Sequence, residues 1–308
     1  MKELFTFIAV TLGRRYKTNQ KKSFTDYVAK EFKSIGYKIR IDDQTAKGKK
    51  MINLFVGEVK NAKTIIMAGY DTPPSGVRIA KEYYPFDYKR NKRSAIYNLA
   101  AQAIISVILL ALIPLGFLMF WNDVEMVGRV VLVLLGVIVL GCMYLVGGGS
   151  GNPVNFNRNS AALTVMMEFA RKKKVEDVAF AFIDKTCVGF EGYKATISRL
   201  GKDESKYDFI ILDCVGYGES TEIICTTDAL ARLETYEDLT NITIRTDEEA
   251  LPINLFTKGI QISGGSKDER GDLVVKNTGN MRDTEVDMEY MQMILELVKK
   301  LSSKGGKI

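Results

Sequence analysis

Two long runs of apolar residues without a charged side chain divide the chain, one at 94–122 and the other at 130–157. A helix rises about 1.5 Å per residue, so about 20 apolar residues cross the hydrocarbon core of a bilayer. The polar sequence NDVEMVGR lies between the runs and is suited to a tight loop. The pattern therefore predicts a transmembrane helical hairpin at 94–150, with spans at 94–121 and 128–148.

On either side of the hairpin, helical and strand periodicities alternate. An amphipathic helix begins at the cap residue Ser23 and breaks at Gly36, and another begins near Asp287 at the end of the chain. Short apolar runs follow the strand pattern at 51–59, 63–71, 177–184, 207–216 and 252–265. The alternation predicts an α/β fold, a mostly parallel mixed sheet sandwiched by helices. We expect this domain to consist of 1–93 and 151–308, interrupted by the hairpin.

Basic residues flank the hairpin on both sides, whereas its inner loop has Arg129 against Asp123 and Glu125. Basic flanks stay on the cytoplasmic side of a membrane. We therefore expect an integral plasma-membrane protein whose soluble domain and termini are cytoplasmic. The basic clusters suit anionic lipid headgroups better than nucleic acid, because no aromatic interleaving and no reader motif accompanies them.

The chain contains no histidine. This excludes a Ser/His/Asp or Cys/His catalytic arrangement and any zinc site that needs an imidazole. The four cysteines are not spaced as CxxC pairs, which favours reduced thiols over a disulfide framework or a zinc cage.

Three polar residues of the first span, Asn98, Gln102 and Ser106, recur every four positions and share one helix face. One interpretation is pairing with the second span, or placement of Asn98 at the membrane interface. The other is a docking face for a partner membrane protein, because polar side chains within a bilayer hydrogen-bond other helices.

The strand at 63–71 ends in Ala-Gly-Tyr-Asp, and the motifs NFNRNSAA, DKTCVGFEGY, LDCVG and NTGNMRDT follow it along the chain. In this order they resemble the di-zinc aminopeptidases of metallopeptidase family 28, in the zinc-exopeptidase superfamily. The resemblance covers nearly all of the chain except the hairpin. The family's first metal motif is a strand ending in Ala-His-x-Asp, so Gly69 stands in place of the histidine and Asp71 in place of the aspartate that supports it.

The same resemblance implies that most of the other metal ligands are replaced. Arg158 of NFNRNSAA stands where the family has the aspartate that bridges both zinc ions. Thr186 and Cys187 stand in place of two glutamates, the general base and a ligand. Asp213 of LDCVG is retained, and Thr278 falls near the position of the last histidine. Of five ligands, only Asp213 remains.

A site with these residues is expected to hold no zinc and no other cofactor. Arg158 introduces a fixed positive charge where a metal would sit, and like charges in a partly desolvated site repel. We expect Arg158 to pair with Asp71 or Asp213, and Asp71 to face Arg158 in place of zinc. Cys187 has no histidine to activate it, so an inert thiol is the first interpretation and a nucleophile the alternative.

These expectations lead to a membrane-anchored, catalytically inactive aminopeptidase-like protein that acts as a binding or scaffolding subunit at the cytoplasmic membrane face. Its expected partners are the bilayer, a membrane protein and a peptide or lipid headgroup presented there. One alternative is a working metal-dependent hydrolase whose site is rebuilt from carboxylates, namely Asp71, Asp184, Asp213 and Asp283. Another is a structural subunit of a transport or secretion complex in which only the hairpin matters.

Overall fold

The computed structural model describes the chain at 1–46, 49–147, 150–172, 175–187, 189–233, 242–246 and 252–303. Its α-helices are α1 (Lys2–Thr6), α2 (Thr18–Ser34), α3 (Tyr88–Phe120), α4 (Met126–Val146), α5 (Ala161–Lys172), α6 (Glu191–Leu200), α7 (Thr227–Leu233) and α8 (Met288–Ser302). π-Helical turns lie at Phe7–Thr11 and Phe156–Ser160, and 3-10 turns at Val59–Asn61, Gly201–Lys206 and Ile253–Leu255. The strands are β1 (Ile39–Ala46), β2 (Lys49–Val56), β3 (Thr64–Gly69), β4 (Val178–Ile183), β5 (Asp208–Leu212), β6 (Ser220–Cys225), β7 (Thr243–Thr246), β8 (Gly259–Lys267) and β9 (Leu273–Val274).

The strands form one mixed sheet in the order β1-β2-β4-β3-β5-β8-β6-β7, with β9 paired to β8. The central strands β4, β3, β5 and β8 are parallel, whereas β2 joins β4 and β6 joins β8 in antiparallel pairs. Gly69 at the end of β3 lies opposite Ile183 at the end of β4. Because parallel strands end at one edge of a sheet, Asp71, Asp184 and Asp213 are brought to that edge.

Helices cover both faces of the sheet, because alternate residues of a strand point to opposite sides. Ile66 and Ala68 of β3 belong to the apolar core that α2, α5 and α8 also form, whereas Ile65 and Met67 belong to the core on the α6 side. All four side chains are fully buried. Leu4 of α1 joins the first core, so the N-terminal helix is a buried element of the domain.

The N-terminus of α2 lies earlier than the sequence predicts. The helix begins at Thr18, and the hydroxyl of Ser23 donates to the Asn19 carbonyl at 3.1 Å from within it. Ser23 is therefore not the cap. The Gln20 side chain accepts from the Lys17 N–H at 2.9 Å and takes that part instead. The predicted break is confirmed at Gly36, whose φ of +89° suits glycine.

The hairpin helices α3 and α4 are long and apolar enough to cross a membrane. The 33 residues of α3 span about 50 Å, and α3 begins at Tyr88, six residues before the predicted start of the span. Apolar side chains cover the outside of both helices, with Leu118 82% and Val127 76% exposed. The predicted end of the second span, at 148, lies outside the described residues.

The first turns of α3 are attached to the soluble domain rather than to α4 or to a free surface. The Asn98 side chain accepts from the N–H groups of Ile79 and Ala80 at 2.8 and 2.9 Å, and donates to the Ala80 carbonyl at 3.1 Å. Gln102 donates to the Val77 carbonyl at 2.9 Å. The two amides thus bind the chain's own loop rather than the second span, while interfacial placement of Asn98 and a docking role for either residue stay predictions. For Ser106, half-buried one turn further on, the docking role stays a prediction.

Two segments meet beside the base of the hairpin and form what we call the collar: residues 73–77, upstream of α3, and Val146 with 150–152, at the end of α4. The Asn152 N–H donates to the Pro73 carbonyl at 2.9 Å, and the Ser75 N–H donates to the Ser150 carbonyl at 2.8 Å. The collar begins two residues after Asp71. It therefore fixes the hairpin directly to the loop that follows β3.

Candidate functional site

Asp71, which follows β3, is held by the loop that follows β4. Its carboxylate accepts from the N–H and the hydroxyl of Thr186 at 2.8 and 2.6 Å, and from the N–H of Cys187 at 3.2 Å. Its backbone carbonyl accepts from the Asn159 side chain at 2.6 Å. Asp71 is 4% exposed, so these donors replace water around a buried charge.

Thr186 also fills the space beside Gly69. A β-carbon built on Gly69 would lie 2.1 Å from the Thr186 hydroxyl oxygen and 2.9 Å from the Thr186 β-carbon. Real β-carbons are not found at such distances, so an imidazole at position 69 and Thr186 in its present position exclude each other. Thr186 thus occupies the space that a side chain at position 69 would need.

Arg158 lies in the π-helical turn before α5 and pairs with Asp213, the residue after β5. Its Nη1 is 3.2 Å from Oδ1 of Asp213, and its guanidinium carbon lies 3.4 Å from the centre of the Tyr83 ring. The Tyr83 hydroxyl donates to the other oxygen of Asp213 at 2.7 Å. The three side chains form what we call the Arg158 cluster. Burial is the largest single influence and lowers the pKa of Arg158, but Asp213, Tyr83 and the nearby thiols of Cys214 and Cys187 together raise that pKa well above its usual value.

The expected contact between Asp71 and Arg158 is not what the structure shows. Arg158 turns toward β5, whereas the next residue, Asn159, turns toward β3 and donates to the Gly69 carbonyl at 3.1 Å. The direction of the Arg158 side chain determines that it pairs with Asp213 and not with Asp71. Of the two predicted partners, Asp213 is therefore confirmed, and Asp71 is corrected to a partner of Thr186.

Asp283 holds the π-helical turn Phe156–Ser160 through two backbone N–H groups. Its two carboxylate oxygens accept from the N–H groups of Asn157 and Arg158 at 3.1 and 3.3 Å. It is 2% exposed, and burial raises its pKa to about 7. Asp283 therefore positions the backbone that carries Arg158 and does not reach a cavity as a free carboxylate.

Asp184 is the remaining carboxylate of the rebuilt-site hypothesis, and its oxygens are also engaged by partners within the domain. It forms an ion pair with Lys21 of α2 and accepts from the Ile52 N–H at 3.1 Å. Burial raises its pKa. In the described part of the chain, no group of three or more cysteine, aspartate and glutamate side chains is placed to hold a metal ion.

Cys187 is a half-buried thiol that donates to the Asp71 carbonyl at 3.2 Å. Burial, with the charge of Asp71 in addition, raises its pKa to about 12. At neutral pH the thiolate, which is the nucleophile, is scarce. The geometry agrees with an inert thiol at this position.

A cavity of about 120 Å³ opens between this site and the base of α3. Arg158, Cys187 and Thr278 line it on one side, and Asn98 of α3 lines it on the other. We call it the hairpin cavity. It brings the predicted site residue Thr278 next to Arg158 and Cys187.

Two buried arginines beside the site are missed by the sequence patterns. Arg78 also lines the hairpin cavity, where Gly279, with φ of +73°, lets the backbone lie against the guanidinium. Arg15 is fully buried and donates to the carbonyls of Tyr70 and Leu12, both at 2.6 Å. Burial lowers the pKa of each, that of Arg15 to about 10. Their contacts with Tyr70 and Gly279 join segments that lie far apart in the chain, which no local motif encodes.

No protein-family model matches this chain, and no curated protein sequence matches it. Among solved structures, the glutaminyl cyclase of Porphyromonas gingivalis is similar with a TM-score of 0.61 and 14% identity, over 97% of this chain and 96% of that one. A Zn-dependent exopeptidase from Parabacteroides distasonis gives a TM-score of 0.57 at 12% identity, over 98% and 97%. The LapA aminopeptidase of Legionella pneumophila gives 0.52 at 8% identity, over 98% and 68%. At these identities the likeness shows the fold alone, and it confirms the predicted class: a mixed α/β fold with a central sheet flanked by helices.

Proposed function

We propose that this protein is a membrane-anchored, catalytically inactive relative of the zinc exopeptidases that binds a ligand or partner at the cytoplasmic face of the membrane. The observation that carries the proposal is the Arg158 cluster. It places a guanidinium on Asp213, the one family ligand that the sequence retains.

A metal ion bound at Asp213 would have to displace Arg158 from the same carboxylate. Two unit charges of like sign 4 Å apart repel by about 4 kcal/mol at an effective dielectric constant of about 20, and a divalent ion repels more strongly. Arg158 is covalently tethered and held by Tyr83 as well. Arg158 therefore competes effectively with a metal ion for the carboxylate of Asp213.

The site also offers no group to activate water. Thr186 and Cys187 stand where the resemblance places the general base and a ligand, and Asp71 accepts three hydrogen bonds from them, which engage both of its oxygens. Water activation needs a base whose pKa lies near the working pH and whose lone pair is free. We infer that the site binds and does not hydrolyse.

The hairpin cavity is the proposed binding site. Arg78 and Arg158 line it together with one carboxylate, Glu82, so the lining carries a net positive charge and suits a ligand with an anionic group, such as the carboxylate end of a peptide. Ser94, Ala95 and Asn98 of α3 form its other wall, which keeps it beside the membrane. The basic flanks of the hairpin support a cytoplasmic orientation, and the exposed faces of α3 and α4 support a membrane-protein partner.

The first test is the metal content and activity of the full chain, purified in mild detergent without chelator. We expect substoichiometric zinc, and no hydrolysis of aminoacyl substrates or cyclisation of glutaminyl peptides above that of Asp213→Ala. Stoichiometric zinc, together with activity that Asp213→Ala removes, would overturn the proposal.

The second test is co-purification from native membranes, with wild type compared with Arg78→Ala. A partner that is retained by wild type and lost by the variant supports binding at the hairpin cavity. A partner retained equally by both supports a scaffold that works through the hairpin alone. The absence of any reproducible partner would count against both roles.

A further inference from the structure

A larger cavity, of about 420 Å³, lies at the start of α3 and shares no lining residue with the hairpin cavity. Five cationic side chains line it: Lys89, Arg90, Arg93, Arg245 and Arg270. Only two carboxylates, Asp87 and Asp272, line it with them. We call this cavity the basic cleft.

Both carboxylates are already engaged within the fold. Asp87 caps α3 by accepting from the Arg90 N–H at 2.8 Å. Asp272 accepts from the Arg90 guanidinium at 3.1 Å, and Asp268, outside the lining, does so at 3.0 Å. Asp272 is thus paired with the Arg90 guanidinium, and Asp87 is engaged by the Arg90 backbone N–H.

Arg245 of β7 supplies a second, independent sign of a missing ligand. Its Nη2 is 3.6 Å from Glu222, a 1% exposed carboxylate that also forms an ion pair with Lys267. One buried anion therefore serves two cations. The Nε of Arg245 and the Oε2 of Glu222 are both buried, and neither has a hydrogen-bond partner among the described residues. The Arg245 side chain as a whole is 39% exposed and lines the cleft, so its terminal nitrogens are available to an anion there.

The walls of the cleft combine arginine with aromatic rings. The Arg90 guanidinium lies 4.0 Å from the centre of the Tyr84 ring, and the Arg245 guanidinium 5.4 Å from that of Phe86. Stacking on a ring orients the planar fork of an arginine, which matches the oxygens of a phosphate group. The volume falls within the range of small-molecule sites, about 300–1,000 Å³.

We propose that the basic cleft binds a phosphate group, through Arg245 and the exposed cations Arg93 and Arg270. The group belongs either to a soluble phosphorylated compound or to the headgroup of an anionic phospholipid. This site is separate from the hairpin cavity and does not rest on the function proposed for it.

The test uses the full chain in nanodiscs of phosphatidylcholine, titrated with inorganic pyrophosphate by calorimetry. We expect saturable binding that weakens by at least about tenfold in the double variant Arg93→Gln/Arg270→Gln. The matched control is Lys92→Gln/Arg282→Gln, which removes the same charge at exposed positions outside the cleft. We expect it to change the affinity by less than about twofold, because solvent and salt screen distant charges.

A second arm uses nanodiscs that contain phosphatidylglycerol. If phosphatidylglycerol abolishes pyrophosphate binding to the wild type but does not change the residual binding to the double variant, the headgroup is the source of the phosphate. Unchanged pyrophosphate binding identifies a soluble ligand. Equal weakening in the cleft variant and the control, or no binding of pyrophosphate and no preference for phosphatidylglycerol, overturns the proposal.

Discussion

Gly69 and Thr186 are complementary: a β-carbon on the glycine would lie 2.1 Å from the hydroxyl of the threonine, which instead hydrogen-bonds Asp71 at 2.6 Å. A side chain at position 69 and Thr186 in its present position therefore compete for the same space, and this coupling can be measured.

We expect Gly69→His to destabilise the protein by about 3 kcal/mol or more, because the ring must displace Thr186 from a packed position. Thr186→Ala alone is expected to cost about 1–3 kcal/mol, from the lost hydrogen bond to a buried carboxylate. The double variant should be less destabilised than the sum of the two. Thermal unfolding of all four forms in detergent gives the coupling energy, and strict additivity would contradict shared space.

Replacement of Arg158 by glutamine should destabilise the fold through Asp213. A fully buried ion pair that loses one partner costs about 3–5 kcal/mol, and we expect about 2–3 here because both side chains keep some exposure, at 12% and 18%. Tyr83→Phe, which removes only the hydroxyl bond to Asp213, is the smaller matched change. An Arg158→Gln variant as stable as wild type would show that the pair is dispensable.

Asp283 makes stability depend on pH. Its pKa is raised by burial to about 7 in the folded state, whereas an unfolded aspartate titrates near pH 4. Between these values the folded state binds the proton and the unfolded state does not, so this group's stabilisation is complete below pH 4 and is lost as the pH rises to 7. Unfolding free energies of wild type and Asp283→Asn should therefore diverge over this range. A constant difference would contradict the raised pKa.

Cys187 should react slowly with alkylating agents. With its pKa raised to about 12 by burial, its thiolate is far scarcer at pH 7.5 than that of a free cysteine with a pKa near 8.5. We expect labelling by iodoacetamide at least about a hundredfold slower than that of glutathione, measured by mass spectrometry on a variant with the other cysteines replaced by serine. Denaturation should restore the ordinary rate. Fast labelling of the folded protein would revive the nucleophile interpretation.

Asn98 should protect the loop that it holds. Asn98→Ala removes three hydrogen bonds to the backbone of residues 79–80, and exposed Lys81 follows directly. We expect faster tryptic cleavage after Lys81 in this variant, because local opening becomes easier. Ser106→Ala, two face positions further along α3, should leave the rate unchanged.

Local periodicity is enough to predict the central strands and the two apolar helices, because each is encoded by a continuous apolar run. The pattern misses the start of α2, because its capping bond comes from Gln20 inside the helix rather than from Ser23. It also misses the short amphipathic helix α6, whose first turn overlaps the residues interpreted as a metal motif.

The residue identities of the site could be predicted, but not their pairing. Whether Arg158 meets Asp71 or Asp213 depends on the direction of one side chain in a π-helical turn, which no spacing encodes. The partners of Asn98 lie about twenty residues away in the chain, on a loop without periodicity. Such pairings arise only when distant segments are brought together.

The collar joins the segment after Asp71 to the end of the second apolar helix. Ser75 and Ser150 are linked through their hydroxyls at 2.6 Å as well as along the backbone. A transmembrane helix tilts to match the thickness of its bilayer. If α3 and α4 cross a membrane, as the sequence predicts, we expect a change in their tilt to shift the chain two residues beyond Asp71, so that membrane thickness would act on the site.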